Sequence, residues 1–463
     1  MKIKFLTAIT GLLTAAFIIT SCLDSNEIEM EYSSESSITG FSINDIETQY
    51  TQVIDGKDTT LTFTVEGSKY PFAIDQSARF IYNVDSLPVG TDVSKVVANI
   101  QADGIGIFIV AADKDTLWSD TDSLNFENPI RFKVMAMSGA YGPTYKAQIN
   151  VHKQVPDSLQ WNFRGNSFDS SIQAQKAVTL GDYIYVFAPQ KNGTAVTTTH
   201  INDGSTWTSL QILSGIPDAD YSSVMTWGDK LYILANNDLY CSTNGTDWDR
   251  VSTGTGLAQL TASVFTAHNR KLYAIDTNCH FMESVNGVVW ETREEIPASF
   301  PTSHLSYATY PLETNPSIDR MILTGENGIA TDTTSIVWTR LTTEASWGDY
   351  PTAENDRYYC PKLNHIAMIY YNDRLYAFGG PGKSFDKDIP AFSCFYESID
   401  QGITWKPVSQ YVLFPPEFTD LYQQAEGHYS CVVDKNDFLW IIWSRSGQVW
   451  RGRVNKLGFD SRK

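Results

Sequence analysis

Positive charge is in short supply: 34 Lys and Arg residues face 53 Asp and Glu among 463, for a formal net charge of -19. Such a chain repels phosphate backbones and anionic headgroups over a Debye length, which excludes nucleic acid as a partner and electrostatic adhesion as a route to a membrane. Cysteine is scarce too, six residues with no CxxC pair. Cys22 stands alone near the N-terminus. The others, Cys241, Cys279, Cys360, Cys394 and Cys431, are an odd, scattered set that reads as buried thiols rather than a disulfide framework. No GxSxG, HExxH, P-loop or dinucleotide fingerprint occurs, so the sequence signatures of those enzyme classes are missing. The one extended apolar run, Phe5 to Ile19, is shorter than the roughly 20 residues of a membrane-spanning helix.

What is present is apolar and turn-rich. Hydrophobic residues make up 42%, aromatics 13% and charged residues only 19%, a globular composition with ample surface to bury. Tyr, Trp, Thr, Ser and Gly, with recurring Asn-Gly and Asp-Gly pairs, favour strands and tight turns. The length suggests more than one domain. The expectation is an all-β chain.

At the N-terminus Lys2 and Lys4 precede the apolar run, and Ile19-Thr20-Ser21-Cys22 follows it. A basic segment, a short apolar core and small residues before a Cys resemble the lipobox cleaved by the bacterial lipoprotein signal peptidase. This implies removal of residues 1–21 and acylation of Cys22, so that lipid chains anchor the protein in a membrane. Residues 22–37 form a polar, acidic tether. That stretch is similar to the surface-export signal of Bacteroidetes lipoproteins, implying an outer-membrane lipoprotein displayed outward, with a periplasmic orientation as the alternative.

Residues 38–153 read as short alternating strands, among them Thr59 to Val65, Arg79 to Val84, Ile105 to Ala111, Ile130 to Met135 and Thr144 to Val151. Their spacing predicts an immunoglobulin-like β-sandwich, without the Cys-Trp-Cys core of antibody domains. The boundary falls at Gln154-Val-Pro-Asp157. From 154 to 463 the chain repeats a strand, a Gly/Asn-Asp turn, a strand with an aliphatic-aromatic pair, and a Gly turn followed by Trp. Copies run through Val178 to Tyr185, Val224 to Tyr232, Val264 to Tyr273, Ile318 to Ile322, Ile369 to Tyr376 and Val433 to Trp440, and the second halves close on Trp207, Trp248, Trp290, Trp338 and Trp405. The last copy ends without such a Trp. Leu159-Gln-Trp161 supplies it, so an N-terminal strand is expected to complete the final blade of a six-bladed β-propeller, with seven blades as the alternative.

Ser398-Ile-Asp-Gln-Gly-Ile-Thr-Trp405 matches the Asp-box of sialidase-type propellers. Ser398, Asp400, Gly402, Thr404 and Trp405 are therefore assigned a structural role in the turn. No Arg-Ile-Pro or recognisable arginine triad accompanies it, which argues against a sialidase. Leu375-Tyr-Ala-Phe-Gly-Gly380 resembles the glycine pair of kelch repeats. Lipobox, Ig-like domain, Val-Pro-Asp junction and a degenerate propeller ending Trp450-Arg-Gly-Arg-Val-Asn together resemble a family of Bacteroidetes lipoproteins of unknown function. That resemblance implies fold and location, not activity.

Aligning the repeats places His304, His365 and His428 at the start of the innermost strand in blades four to six, with Ala174 and Tyr221 at matching points earlier. Three imidazoles at one channel mouth suit first a hydrated polar rim bonded to neighbouring backbone, with a divalent transition metal as the minor alternative; no cofactor is expected. A galactose-oxidase-type copper site stays open, because its ligands come from distant blades. Two long insertions belong to the same mouth: Ala345 to Asn364, with Trp347 and Tyr350, and Ser409 to Gly427, with Tyr411, Phe414, Phe418 and Tyr422. Aromatics on long loops suit sugar faces or peptides, or pack the loops themselves. The functional expectation is a monomeric, non-catalytic module binding a glycan or protein ligand at the cell surface. The alternative is a carbohydrate-active enzyme, an oxidase, lyase or hydrolase, using the His-ringed mouth.

Overall fold

The computed structural model describes residues 31–455 apart from 55–56, 156, 252–253, 255, 327–333, 351–357, 385–386 and 409. Cys22 and the signal segment lie outside the described residues. The chain divides into two compact units at Lys153 and Gln154.

The first unit is a β-sandwich. A six-stranded sheet contains Phe72–Asp75, Phe80–Asn83, Tyr145–Gln148, Ile130–Met135, Gly106–Ile109 and Thr116–Leu117, and a three-stranded sheet contains Ile38–Ile43, Val96–Ala102 and Ser123–Leu124. Alternating residues face inward, as Phe132 and Val134 do on one strand and Val96, Ala98 and Ile100 on another. Their shared core also takes in Ile38, Ile81 and Tyr145.

The second unit contains six four-stranded antiparallel sheets, taken as blades 1 to 6. The innermost strands are Lys176–Leu180, Ala219–Trp227, Leu257–Phe265, Ser303–Leu312, Ala367–Tyr371 and Tyr429–Val433. Most second strands carry an apolar run, such as Leu439–Trp443, because packed blades cover both of its faces. Asn236-Asn237 and Asn372-Asp373 carry consecutive positive φ values of 49° and 64°, and 51° and 60°, the backbone of a type I′ hairpin turn.

The last blade is closed by the start of the unit. Leu159–Gly165 pairs antiparallel with Val449–Val454, placing Trp161 opposite Gly452. In blade 4 the first turn lies at Leu312–Asn315. Ile318 to Ile322 therefore belongs to the second strand alone, and the expected strand-turn-strand copy there is out of register. The residue ahead of that blade's fourth strand is Trp347, not Trp338, which sits in the third strand, Trp338–Leu341.

Candidate functional site

Side chains from all six innermost strands line a central cavity of about 800 Å³. That volume lies within the range of small-molecule sites. Its wall is mixed rather than greasy, and three polar atoms along it are buried without a hydrogen-bond partner: Gln175 Oε1, Thr261 Oγ1 and Ser430 Oγ. Buried polar atoms normally find partners, so three orphans behind one channel wall set it apart from an ordinary apolar core.

The three expected histidines meet at this cavity. His304 and His365 have ring centroids 4.5 Å apart, and His365 and His428 5.6 Å. His304 and His365 share an unusual backbone, with φ of 49° and 50°, a conformation that costs a non-Gly residue about 1 kcal/mol or more and persists only where the surroundings enforce it. His365 is the hub. Its Nδ1 lies 2.9 Å from the Tyr422 hydroxyl, its N–H donates to Glu326 Oε1 at 3.0 Å, and its carbonyl accepts from the Tyr429 hydroxyl at 2.7 Å.

Burial, then the neighbouring His304, lowers the His365 pKa, with Glu326 opposing. Burial, then Arg445, lowers that of His428. Both rings are thus mainly neutral at pH 7. Burial pushes the Tyr422 hydroxyl up to about 12, so it stays protonated and can donate to Nδ1, leaving the ring proton on Nε2. Two glycines permit this approach. A Cβ at Gly380 would fall on the Tyr422 hydroxyl, and one at Gly427, where φ is 83°, would lie 2.7 Å from the His365 ring. Gly380 of the kelch-like pair thus has a local steric reason. Among the described residues no group of three or more His, Cys, Asp or Glu side chains is arranged to hold a metal ion.

The aromatic candidates are largely packed rather than presented. Trp347 is buried against Phe281 and Phe300 in the seam of blades 3 and 4. Phe418 is fully buried among Trp161, Phe392 and Trp443, and Phe414 stacks on Phe395 at 3.8 Å. Phe418 and Tyr422 belong to a short helix, Phe418–Gln424, whose apolar face fills the seam of blades 5 and 6. Tyr350 donates its hydroxyl proton to the Gln401 carbonyl at 3.1 Å, beside the Asp-box. Tyr411 is exposed, but its carbonyl caps Leu159 N–H at 2.7 Å, at the start of the closing strand. Only Tyr422 reaches the histidines. The apolar character of these insertions was legible in the sequence; the direction in which they bury was not.

The Asp-box is a self-contained turn. Ser398 Oγ donates to Asp400 and accepts from Gly402 N–H, both at 2.8 Å, and Asp400 accepts from Thr404 N–H at 2.8 Å and Thr404 Oγ1 at 2.6 Å. Trp405 Nε1 donates to the Gly402 carbonyl at 2.9 Å, and Trp248 and Trp290 repeat that bond to Gly245 and Gly287 at 3.0 and 2.9 Å. These side-chain bonds all close within the turn, as a structural role requires. Sequence reasoning missed Lys176 and Asp220, which also line the channel; the repeat alignment pointed one or two residues away, at Ala174 and Tyr221.

The fold defines a β-propeller protein with an N-terminal β-sandwich. The chain belongs to the DUF6242 family: residues 155–462 match the DUF6242 β-propeller domain, and residues 41–149 match the DUF6242 N-terminal domain, described as a domain of unknown function. The Kelch repeat protein M-T8 of Myxoma virus (strain Lausanne) is 25% identical over 169 residues, 34% of this chain and 32% of that protein. The chain thus spans about a third of that relative's length. A DUF4623 family protein from Bacteroides eggerthii superposes with a TM-score of 0.36 at 11% identity, covering 90% of this chain and 98% of the other. An auxiliary nutrient binding protein from Bacteroides ovatus gives 0.42 at 9% identity, covering 77% and 94%. A carbohydrate-active enzyme of family AA12 from Trichoderma reesei gives 0.40 at 10% identity, covering 64% and 96%.

Proposed function

We propose that the protein is a lipid-anchored extracytoplasmic lipoprotein that binds a glycan, without turning it over, in the central channel of its propeller. The observation that supports the ligand class is a central cavity of about 800 Å³ whose wall offers polar side-chain atoms, those of Ser303, His304, Asp220 and Ser222 among them. Hydroxyl groups answer such atoms, whereas a peptide would call for apolar anchor pockets. Calorimetric titration of an oligosaccharide panel, with His304→Ala as the control at the mouth, tests it. His304 is exposed at the rim, so its loss should weaken binding several-fold and leave the fold intact. Undiminished affinity, or a ligand that maps to the β-sandwich, sinks the assignment.

The anchor has its own test. Among the described residues no helix is long and apolar enough to cross a membrane, and Cys22→Ser should release the protein from the membrane fraction. A variant that still sediments with membranes is not held by a lipid on Cys22.

A second reading, a carbohydrate-active enzyme, draws on the 2.9 Å pairing of Tyr422 with His365 Nδ1, since it leaves Nε2–H free to donate to a substrate oxygen as an oriented neutral imidazole can. Turnover of any bound glycan, lost in His365→Ala, would establish it.

A further inference from the structure

The β-sandwich presents apolar side chains at the place where its chain leaves for Cys22. Residues 33–37 of the expected tether are not free. They run along the turn that joins Met135 to Tyr141, the Ser33 carbonyl accepting from Ser138 N–H at 3.1 Å and the Ser37 carbonyl from Asp103 N–H at 2.9 Å. Around this exit Tyr32, Ile105, Leu117, Met137 and Tyr141 are each more than half exposed. They are neighbours in space although they come from separate stretches of chain. Ile105 N–H donates to the Met135 carbonyl at 2.8 Å, Gly106 lies opposite Met135, and a Cβ on Gly106 would come within 3.2 Å of Leu117. Phe108 pairs with Leu117 and meets the Tyr141 ring edge-on at 5.4 Å. Lys133 covers the Tyr141 ring at 4.0 Å and is paired with Asp115, so that cation is already neutralised. Single exposed hydrophobes need no explanation, but a contiguous set marks an interaction surface.

The length of chain beyond this exit says what the surface meets. Ser33 stands eleven positions after Cys22, a reach of about 40 Å at most and of the order of one domain diameter. We propose that this end of the β-sandwich, led by Met137 and Tyr141, seats in the interfacial layer of the bilayer that holds the Cys22 lipid. The proposal rests on the lipid-anchor reading, because the anchor is what brings the surface to the bilayer. Tyr141 suits the boundary between headgroups and acyl chains, and Ile105, Leu117 and Met137 enter it without an unpaired charge. Such a contact is too small to hold the protein alone, in keeping with release of the Cys22→Ser variant. On a short leash it becomes intramolecular, and a weak surface engages at high effective concentration. Because it is apolar, added salt does not screen it.

The test gives a pulse of hydroxyl radicals to the acylated full chain in vesicles of phosphatidylethanolamine and phosphatidylglycerol, and follows oxidation by peptide mass spectrometry. Met137 and Tyr141 should oxidise at least about fivefold more slowly than in the Cys22→Ser chain without vesicles, while exposed Tyr183 of the propeller keeps its rate. Raising the salt concentration should leave the protection in place. Met137→Asp/Tyr141→Ser, at exposed positions that carry little of the fold, should return Ile105 and Leu117 to the free-chain rate. Acylated protein in which Met137 and Tyr141 oxidise at the free-chain rate keeps the anchor and overturns the contact. Protection by vesicles of a chain that carries no acyl group supports the contact and overturns the anchor; neither acylation nor protection overturns both. Protection without vesicles that grows with protein concentration assigns the surface to a second copy of the chain and overturns the proposal.

Discussion

Tyr422 and His365 join the helix between blades 5 and 6 to the channel mouth through a contact of 2.9 Å between hydroxyl and Nδ1. The relationship makes a prediction about pH. Burial lowers the folded-state pKa of His365 and of His428, so between that lowered value and the ordinary 6.5 the unfolded chain binds more protons. Stability therefore rises with pH in that window: it is complete above about pH 7 and lost as pH falls through 6.5 toward the folded values. Glu326, His304, Glu426 and Arg445 also face these rings and set the size of the effect. Melting temperatures of wild type and a His365→Asn/His428→Asn variant, measured from pH 8 to 5, should converge as pH falls. A constant gap between the two curves contradicts the assignment. Tyr422→Phe should cost about 1 kcal/mol through the lost hydrogen bond.

The long insertion before blade 6 makes a prediction about stability rather than affinity. Phe418 is fully buried and touches Trp161, Phe392, Trp443 and Trp450. Phe418→Ala should cost about 3–5 kcal/mol in denaturant unfolding. Exposed Tyr411→Ala should cost under about 0.5 kcal/mol, a difference that separates packing from presentation.

Those two residues show what sequence conveys and what it withholds. The three histidines were legible because each opens an innermost strand in a repeat, and periodicity carries position even when identity drifts. Trp161 was legible as the missing member of a set. Trp347 was not, because the extra residues in the hairpin around Asn315 and the segment 327–337 shift the count in blade 4, and Trp338 fell where its neighbour was due. Phe414 and Phe418 look the same in sequence whether they face solvent or a seam; only the helix Phe418–Gln424 decides. Lys176 carries no local mark at all, since its place in the channel wall is set by how blade 1 packs against Ser222 on the next blade.

Blades 3 and 4 are tied by an ion pair out of water. Arg340 Nη2 lies 2.6 Å from Glu283 Oε2, with side-chain exposures of 2% and 6%, and the guanidinium also covers the Tyr273 ring at 5.1 Å. Burial alone would raise the Glu283 pKa, yet bonding to Arg293 and the charges of Arg340 and Lys271 hold it below the usual value. Arg340→Met leaves that carboxylate short of a partner and should cost about 3 kcal/mol. Adding Glu283→Gln should restore part of the loss, and a double-mutant cycle with no coupling rules the tie out.

Closure of the ring can be tested at Trp161. Its strand pairs Leu159 with Val454 and Trp161 with Gly452, and the indole Nε1 donates to the Leu413 carbonyl at 2.8 Å. Gly452 is needed because a Cβ there would lie 2.9 Å from the indole ring. Gly452→Leu should therefore push the closing strand outward, at a cost of about 1–3 kcal/mol. A chain that begins at Asn166 lacks the strand altogether and leaves Val449–Val454 as an open edge, available for pairing with another molecule. It should aggregate, or melt well below a chain that begins at Gln154, when both are followed by light scattering during a thermal ramp. If the two melt together and stay monomeric, the ring does not depend on its N-terminal strand, and the pairing of Trp161 with Gly452 contributes nothing to its stability.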